Sequence, residues 1–182
     1  MAILKVARLG HPVLRGVAEP VPLGELARPE MQRFIDDMVE TMHEYEGVGL
    51  AAPQVHVSRQ LAVLEVESHP RYPDMARIPL TVIVNPVLTP VGEEIGSDWE
   101  GCLSIPDFRG MTPRYTTVRL EAYGRRGERI ELVAKDFFAR VLQHETDHLK
   151  GRVYIDRMRD LTTLAHMHEW MRYWARHEGG EQ

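Results

Sequence analysis

The heptapeptide Gln143–Leu149 constrains this chain more than any other stretch, because it has the pattern of a helix that binds a metal ion. On a helix, His144 and His148 are four residues apart and lie on one face, with Cβ atoms about 5–6 Å apart. Both imidazoles can then reach one ion, and Glu145 can contact a water molecule bound to that ion. The stretch predicts metal-assisted hydrolysis. A solvated surface helix that carries two histidines is the alternative.

The residues around this motif favour a buried helix. Apolar residues precede it at helical spacing: Phe137, Phe138, Val141 and Leu142. Asp136 stands where an N-cap is expected and Gly151 where a helix would end, so we predict a helix from Asp136 to about Lys150. A buried helix with inward histidines is better explained by a metal site than by chance.

Length and composition bound the class of protein. A chain of 182 residues can bury a core as one domain, and 43% hydrophobic with 27% charged residues is ordinary for a globular protein. No apolar run approaches the roughly 20 residues that span a bilayer. The formal net charge of −5 argues against a protein that grips DNA through its phosphates. We expect one domain, residues 1–182, with neither membrane nor DNA as a partner.

The N-terminal residues and the single cysteine bear on the compartment. The first residues lack the apolar core and the small-residue cleavage site of a secretory signal, which predicts a cytoplasmic protein. Cys102 is the only cysteine, so no intramolecular disulfide forms. A lone cysteine is usually a small buried hydrophobe. Cys102, however, follows a glycine and stands beside polar residues, which makes it a candidate third metal ligand or nucleophile.

Hydrophobic periodicity predicts the remaining elements. The other two predicted helices cover Pro29 to about Glu44 and roughly Asp160 to His177. The predicted strands are Leu61–Val66, Leu80–Leu88, Val118–Ala122 and Ile130–Ala134. The last two strands form a hairpin, and a loop with Pro70, Pro73 and Pro79 separates the first two. Strands followed by helices indicate an α+β fold. We expect antiparallel strands around a central metal-binding helix, with one helix towards each terminus.

The candidate ligands and acids fit one catalytic site. Cys102, His144 and His148 on one ion would leave a fourth position for water, as in catalytic rather than structural zinc sites. A metal can lower the pKa of bound water from about 15.7 to about 7, so Glu145 can accept a proton and pass it to a leaving amine. An oxyanion needs further donors. The candidates are the Gln54 side chain and the Leu103 backbone N–H.

Three segments, in this order, resemble the peptide deformylase family. They are Gly47–Gln54, Glu100–Ser104 and Gln143–Leu149. Each segment is short, but the ordered set is specific, and the resemblance covers most of the chain, including His11–Arg15. It implies a hydrolase that removes the formyl group from the N-terminal formyl-methionine of newly synthesised polypeptides and releases formate.

The resemblance also implies a role for individual residues. The implied metal ligands are Cys102, His144 and His148. The implied catalytic residues are Glu145 as acid and base, and Gln54 with the Leu103 amide as oxyanion stabilisers. Five residues would shape the methionine pocket and pair with the substrate backbone as an added strand does: Val48, Gly49, Glu100, Phe137 and Val141. Phe137 and Arg140 replace smaller aliphatic residues that are frequent in the family.

The implied cofactor is one divalent metal ion. The family's usual ion is Fe²⁺, while Zn²⁺, Ni²⁺ or Co²⁺ can occupy such ligands. The implied partners are N-formylmethionyl nascent peptides, with transient ribosome contact through a basic C-terminal helix. In this chain, Arg172 and Arg176 of that helix are offset by Glu169 and Glu178, so the charge gives weak support to ribosome contact.

Two other functions fit part of the sequence. A metallopeptidase of the wider His-Glu-x-x-His class would use a third ligand downstream of the helix, but it leaves Cys102 unexplained. The candidates for that ligand are Asp156, Asp160 and His166. A non-catalytic, metal-stabilised binding domain would keep the metal ligands alone. The presence of Glu145 and Gln54 favours an enzyme over that domain.

Overall fold

The computed structural model describes residues 2–66 and 77–175 of the chain. Within them, the α-helices are α1 (Leu23–Leu26), α2 (Pro29–Glu44), α3 (Asp136–Leu149) and α4 (Met167–Tyr173). The strands are β1 (Gly49–Ala51), β2 (Leu61–Val66), β3 (Ile78–Pro90), β4 (Ile95–Cys102), β5 (Ile105–Tyr115), β6 (Thr117–Tyr123), β7 (Arg129–Lys135) and β8 (Ala165–His166). The described residues also form short 3-10 helices at Pro12–Arg15, Ala52–Val55, Tyr154–Arg157 and Leu161–Thr163.

The strands form two antiparallel sheets. The larger sheet has the order β1-β2-β3-β6-β7, and the smaller has the order β4-β5-β8. Helix α3 packs against strands of both sheets and therefore occupies the centre of the fold. The predicted α+β class, with antiparallel strands around a central helix, is confirmed.

Strand β2 shows that both faces of the larger sheet are covered. Successive side chains of a strand point to opposite faces. Leu61 and Val63 pack in the cluster that contains α2, whereas Ala62 and Leu64 pack in the cluster that contains α3. All four side chains are fully buried. The sheet thus lies between α2 and α3, and a strand of this kind reads as an apolar run rather than as an alternation.

Helix α2 and strand β2 have the bounds that the sequence predicts. In α2, a proline stands in the first turn, and Ile35, Met38 and Met42 recur at steps of three and four residues and are fully buried. One detail of α3 was wrong. Asp136 is not the N-cap, because the helix begins at Asp136, after Lys135, with no side-chain cap hydrogen bond.

The predicted C-terminal helix, Asp160–His177, was also wrong in its extent. The Asp160 side chain accepts a hydrogen bond of 2.9 Å from the backbone N–H of Thr162, and a 3-10 turn follows. Strand β8 then pairs with residues 108–109 of β5, and α4 begins only after it. Pairing with a sheet edge thus replaces helical hydrogen bonds. Some predicted features lie outside the described residues: Pro70, Pro73, Arg176 and Glu178.

Strands β4 and β5 were not predicted. They pair from Ile95 opposite Tyr115 to Cys102 opposite Ile105. Their buried side chains include Glu100 and Arg114, so part of the inward face is charged and lacks the apolar alternation that identifies a strand. This strand pair positions the site, because Cys102 is the last residue of β4.

Candidate functional site

Two elements from distant parts of the chain bring three metal-binding side chains together. Cys102 ends β4, and His144 and His148 lie one turn apart on α3. One ligand atom from each lies within 4.8 Å of the others, and the Cys102 Sγ is 3.2 Å from the His148 Nε2. A thiolate with two imidazoles is a donor set that zinc and other transition metals accept. The residues fit a metal ion.

The charge state of Cys102 also suits a metal ligand. Burial raises the pKa of its thiol, but the adjacent His148 and His144 outweigh burial, and the pKa lies well below its ordinary value. The thiolate, which is the form that binds metal, is therefore favoured.

Glu100 fixes the orientation of one ligand. The His144 Nδ1 donates to the Glu100 Oε2 at 2.9 Å, so the His144 Nε2 is the ring nitrogen left for a metal. Glu100 is only 5% exposed and also accepts from Arg114 at 2.9 and 3.0 Å and from Arg140 at 2.8 Å. Burial raises the pKa of Glu100, but His144 and Arg114 lower it by more than burial raises it. The pKa therefore lies below its ordinary value, and the carboxylate stays ionised.

The network of charged side chains around Glu100 continues along α3. Arg114 also donates to Asp147, and Arg157 donates to both oxygens of Asp147 at 2.6 and 3.0 Å. Burial raises the pKa of Asp147, but Arg157 and Arg114 hold it below its ordinary value. The buried charge of Asp147 is thus paired with Arg114 and Arg157 on the side of α3 that faces the smaller sheet. Sequence reasoning missed this network, because its members lie far apart in the chain.

Glu145 has the environment of a general acid and base. Its side chain is 3% exposed, and its Oε2 has no hydrogen-bond partner among the described residues. Burial raises the pKa of Glu145, and the two histidines oppose this only in part. A carboxyl group whose pKa is raised towards neutrality can both accept and deliver a proton.

Gln54 is held in one orientation beside the ligands. Its side chain is 1% exposed, and its Oε1 accepts from the backbone N–H of Ala51 at 2.8 Å. This leaves the Nε2 as the donor, at 3.2 Å from the Ser104 Oγ and 3.4 Å from the Cys102 Sγ. The amide N–H groups therefore point towards the cluster of ligands.

A cleft of about 530 Å³ opens on these residues. Except for His148, which is fully buried, all the predicted site residues line it, and so do Val48, Gly49, Phe137 and Val141 of the predicted methionine pocket. The Glu100 carboxylate is occupied by His144, Arg114 and Arg140, so its side chain supports a ligand.

The alternative third ligands do not join the cluster: Asp156 pairs with Arg15 and accepts from the Val153 N–H, Asp160 caps its own turn, and His166 lies in β8. The Arg140 guanidinium donates to Glu100 and to the carbonyls of Thr112 and Gly96.

Across the described ranges, no helix is long and apolar enough to cross a membrane.

The fold and the site together define a metal-dependent hydrolase. The family model for polypeptide deformylase matches residues 3–163, and the chain belongs to this family. It is therefore an enzyme that removes N-terminal formyl groups from nascent peptides, and the family resemblance seen in the sequence is confirmed.

Relatives and solved structures agree with this assignment. Peptide deformylase 1 of Bordetella pertussis is 47% identical over 161 residues, which cover 88% of this chain and 90% of the relative. Peptide deformylase 1 of Nitrosomonas europaea is 46% identical over 90% of this chain and 92% of its own. The Met-Ala-Ser-bound crystal structure of the class I type b peptide deformylase from Acinetobacter baumannii has a TM-score of 0.83, with 38% identity over 86% of this chain and 99% of that one. The peptide deformylase from Thermotoga maritima has a TM-score of 0.78, with 33% identity over 88% and 100% of the two chains.

Proposed function

We propose that this chain deformylates N-formylmethionyl peptides with one divalent ion held by Cys102, His144 and His148, and with Glu145 as the catalytic acid and base. The observation that carries the proposal is the meeting of three ligand atoms within 4.8 Å beside a buried glutamate, at the floor of an open cleft. When bound, the ion supplies Lewis acidity: it polarises the formyl carbonyl and lowers the pKa of water.

Glu145 moves the proton. Its buried carboxylate accepts a proton from the attacking water and delivers it to the amine that leaves when the formyl C–N bond breaks. Formate and a free α-amine are the products. Because burial raises the pKa of Glu145, the protonated form is stable enough to act as an acid in the second half of the reaction.

Gln54 and the Leu103 backbone N–H stabilise the negative charge that develops on the formyl oxygen. The Gln54 Oε1 is fixed by Ala51, so the donor end of the amide is oriented before substrate arrives. Oriented donors of this kind need no reorganisation during the reaction. Leu103 follows Cys102 directly and lines the same cleft.

Five residues bind the peptide. Phe137 and Val141 of α3, with Val48, form an apolar wall for the methionine side chain, and Gly49 and the Glu100 backbone pair with the substrate as an added strand does. The Acinetobacter baumannii structure, which holds Met-Ala-Ser, the peptide left after deformylation of the formylated form, supports a peptide in this cleft.

The Gly49→Ala substitution tests whether Glu145 must keep its position. A Cβ at Gly49 would lie 2.3 Å from the Glu145 Oε1 and 2.9 Å from its Cγ, so the carboxylate would have to move. We expect kcat to fall about 100-fold, as small misplacements of a catalytic group can cause, with unchanged metal content. Gly24→Ala is the matched control, because a Cβ at Gly24 meets nothing within 4 Å. Wild-type turnover by Gly49→Ala would contradict the assigned role of Glu145.

We propose Fe²⁺ as the ion in the cell, on the basis of the family resemblance and the mixed thiolate and imidazole ligands. Protein purified without oxygen should contain iron and should release formate faster than the same protein loaded with Zn²⁺. Its activity should fall on exposure to air, and the zinc form should not change. Equal rates for the two metal forms, together with insensitivity to air, would overturn the choice of iron.

We place this enzyme in the cytoplasm as a single domain of residues 1–182 that meets its substrates near the ribosome. Nascent formylated chains are produced there, and the net charge of −5 disfavours DNA as a partner. Contact with the ribosome would be transient, because the charges of α4 include Glu169 as well as Arg172.

A further inference from the structure

Residues 7–9 connect the two segments that carry the proposed oxyanion donors. The Ala7 N–H donates to the Gln54 carbonyl at 2.7 Å, and the Leu9 N–H donates to the Ser104 carbonyl at 2.8 Å. Ala7 is itself buried, so these three residues are fixed against the body of the protein. We call residues 7–9 the N-terminal strap. The strap lies outside the three segments that carry the family resemblance.

Arg8 adds a third contact from the strap, and this contact reaches the residue after Cys102. The Arg8 Nη1 donates to the Leu103 carbonyl at 2.5 Å, and Arg8 lines the cleft. Leu103 and Ser104 are the two loop residues of the hairpin between β4 and β5, because Cys102 pairs with Ile105. The carbonyl between two such loop residues has no partner in the strand ladder. The Arg8 guanidinium therefore supplies a partner for the carbonyl at the centre of this turn.

The same turn bears on both proposed oxyanion donors. One donor is the Leu103 backbone N–H, and the other is the Gln54 amide, whose Nε2 is 3.2 Å from the Ser104 Oγ. Ser104 is fully buried, so a shift of the turn would also displace the partner of the Gln54 amide. Rotation of the peptide unit between Leu103 and Ser104 changes the backbone angles of both residues. A group that fixes this peptide unit therefore helps to fix both donors.

We propose that Arg8 is a positioning residue for deformylation, which holds this turn so that both donors face the formyl oxygen. Arg8 acts through the turn rather than on the substrate. Loss of one oxyanion donor costs about 10²–10³-fold in rate. Because Arg8 is exposed, water can partly replace its hydrogen bond, and we expect a smaller loss, about tenfold in kcat, when Arg8 is removed. The inference deepens the proposed function and rests on it, because it takes Gln54 and the Leu103 N–H as the oxyanion donors.

The test compares the wild type with Arg8→Met and Arg8→Lys on formyl-Met-Ala-Ser as its C-terminal amide. This peptide carries no charge, so Arg8 cannot act by attracting a charged substrate. Arg8→Met keeps an unbranched side chain and loses every donor. We expect its kcat to fall about tenfold, with KM within about twofold of wild type and with unchanged metal content and melting temperature. Arg8→Lys keeps a charged donor and should recover kcat to within about threefold of wild type.

Lys5→Met is the matched control, because it removes one positive charge from an exposed position just before the strap, and Lys5 does not line the cleft. Its kcat and KM should stay within about twofold of wild type. Wild-type kcat in Arg8→Met, an equal loss in Lys5→Met, or a loss in Arg8→Met that lies in KM or in metal content would overturn the role of Arg8. No recovery in Arg8→Lys would overturn the hydrogen bond as its cause. A metal-loaded wild-type enzyme that is inactive on this peptide would overturn the proposed function, and the inference with it.

Discussion

Replacing Glu145 by glutamine should abolish turnover while the protein still binds its metal. Glutamine has nearly the same volume and still forms hydrogen bonds, but it cannot accept a proton from water. A general acid and base contributes roughly 10²–10⁴-fold to the rate, and we expect kcat to fall by at least that factor. Metal content should not change, because Glu145 is not among the three clustered ligands.

The pH dependence of the rate provides a second test of the Glu145→Gln variant. Burial raises the pKa of Glu145, so the protonated carboxyl persists to a higher pH than that of an ordinary glutamate. The wild-type rate should therefore fall as the pH drops through this raised pKa, and the residual activity of Glu145→Gln should lack that limb. Glu93→Gln, an exposed change in the turn between β3 and β4, is the control. A Glu145→Gln enzyme with wild-type kcat would refute the assigned acid and base.

Replacing Cys102 by serine should remove both the metal and the activity. A hydroxyl does not ionise near neutral pH and is a poor substitute for the thiolate that His148 and His144 favour at this position. Loss of a residue that hydrogen-bonds to a metal ligand lowers metal affinity about 10–100-fold. Loss of a ligand itself should therefore lower metal affinity by more than about 100-fold. Metal content and formate release should be measured on the same sample.

Metal-stripped wild-type protein provides the control for Cys102→Ser. Added Fe²⁺ without oxygen should restore the stripped wild type, whereas Cys102→Ser should recover only in a large excess of metal. A thermal melt of each protein in the metal-free state separates lost metal affinity from lost folding. Full metal occupancy and an unchanged rate in Cys102→Ser would show that the cysteine is not a ligand.

Local patterns in the sequence were sufficient for several elements. The apolar spacing of α2 and the apolar run of β2 identified both with their observed bounds, because each buries its pattern against the other. The motif on α3 identified two ligands, since residues four apart on a helix must share a face. Cys102 was found by its glycine neighbour and by the family resemblance, although the strand that carries it was not predicted.

The features that the sequence did not predict depend on distant partners. Glu100 and Arg114 lie inside the smaller sheet only because each neutralises the other, and no local pattern in β4 or β5 indicates that pairing. The short α4 follows from the pairing of β8 with the edge of β5. The place of Met167 and Trp170 in the lining of the cleft was missed for the same reason, since it depends on that strand pair.

The most direct test of this account is formate release from formyl-Met-Ala-Ser, with acetyl-Met-Ala-Ser as the control, by protein purified without oxygen and analysed for metal. We expect rapid formate release in proportion to metal content, loss of that release with a chelator, and no reaction of the acetyl peptide. No formate from a fully metal-loaded sample, or release that a chelator does not affect, would contradict it.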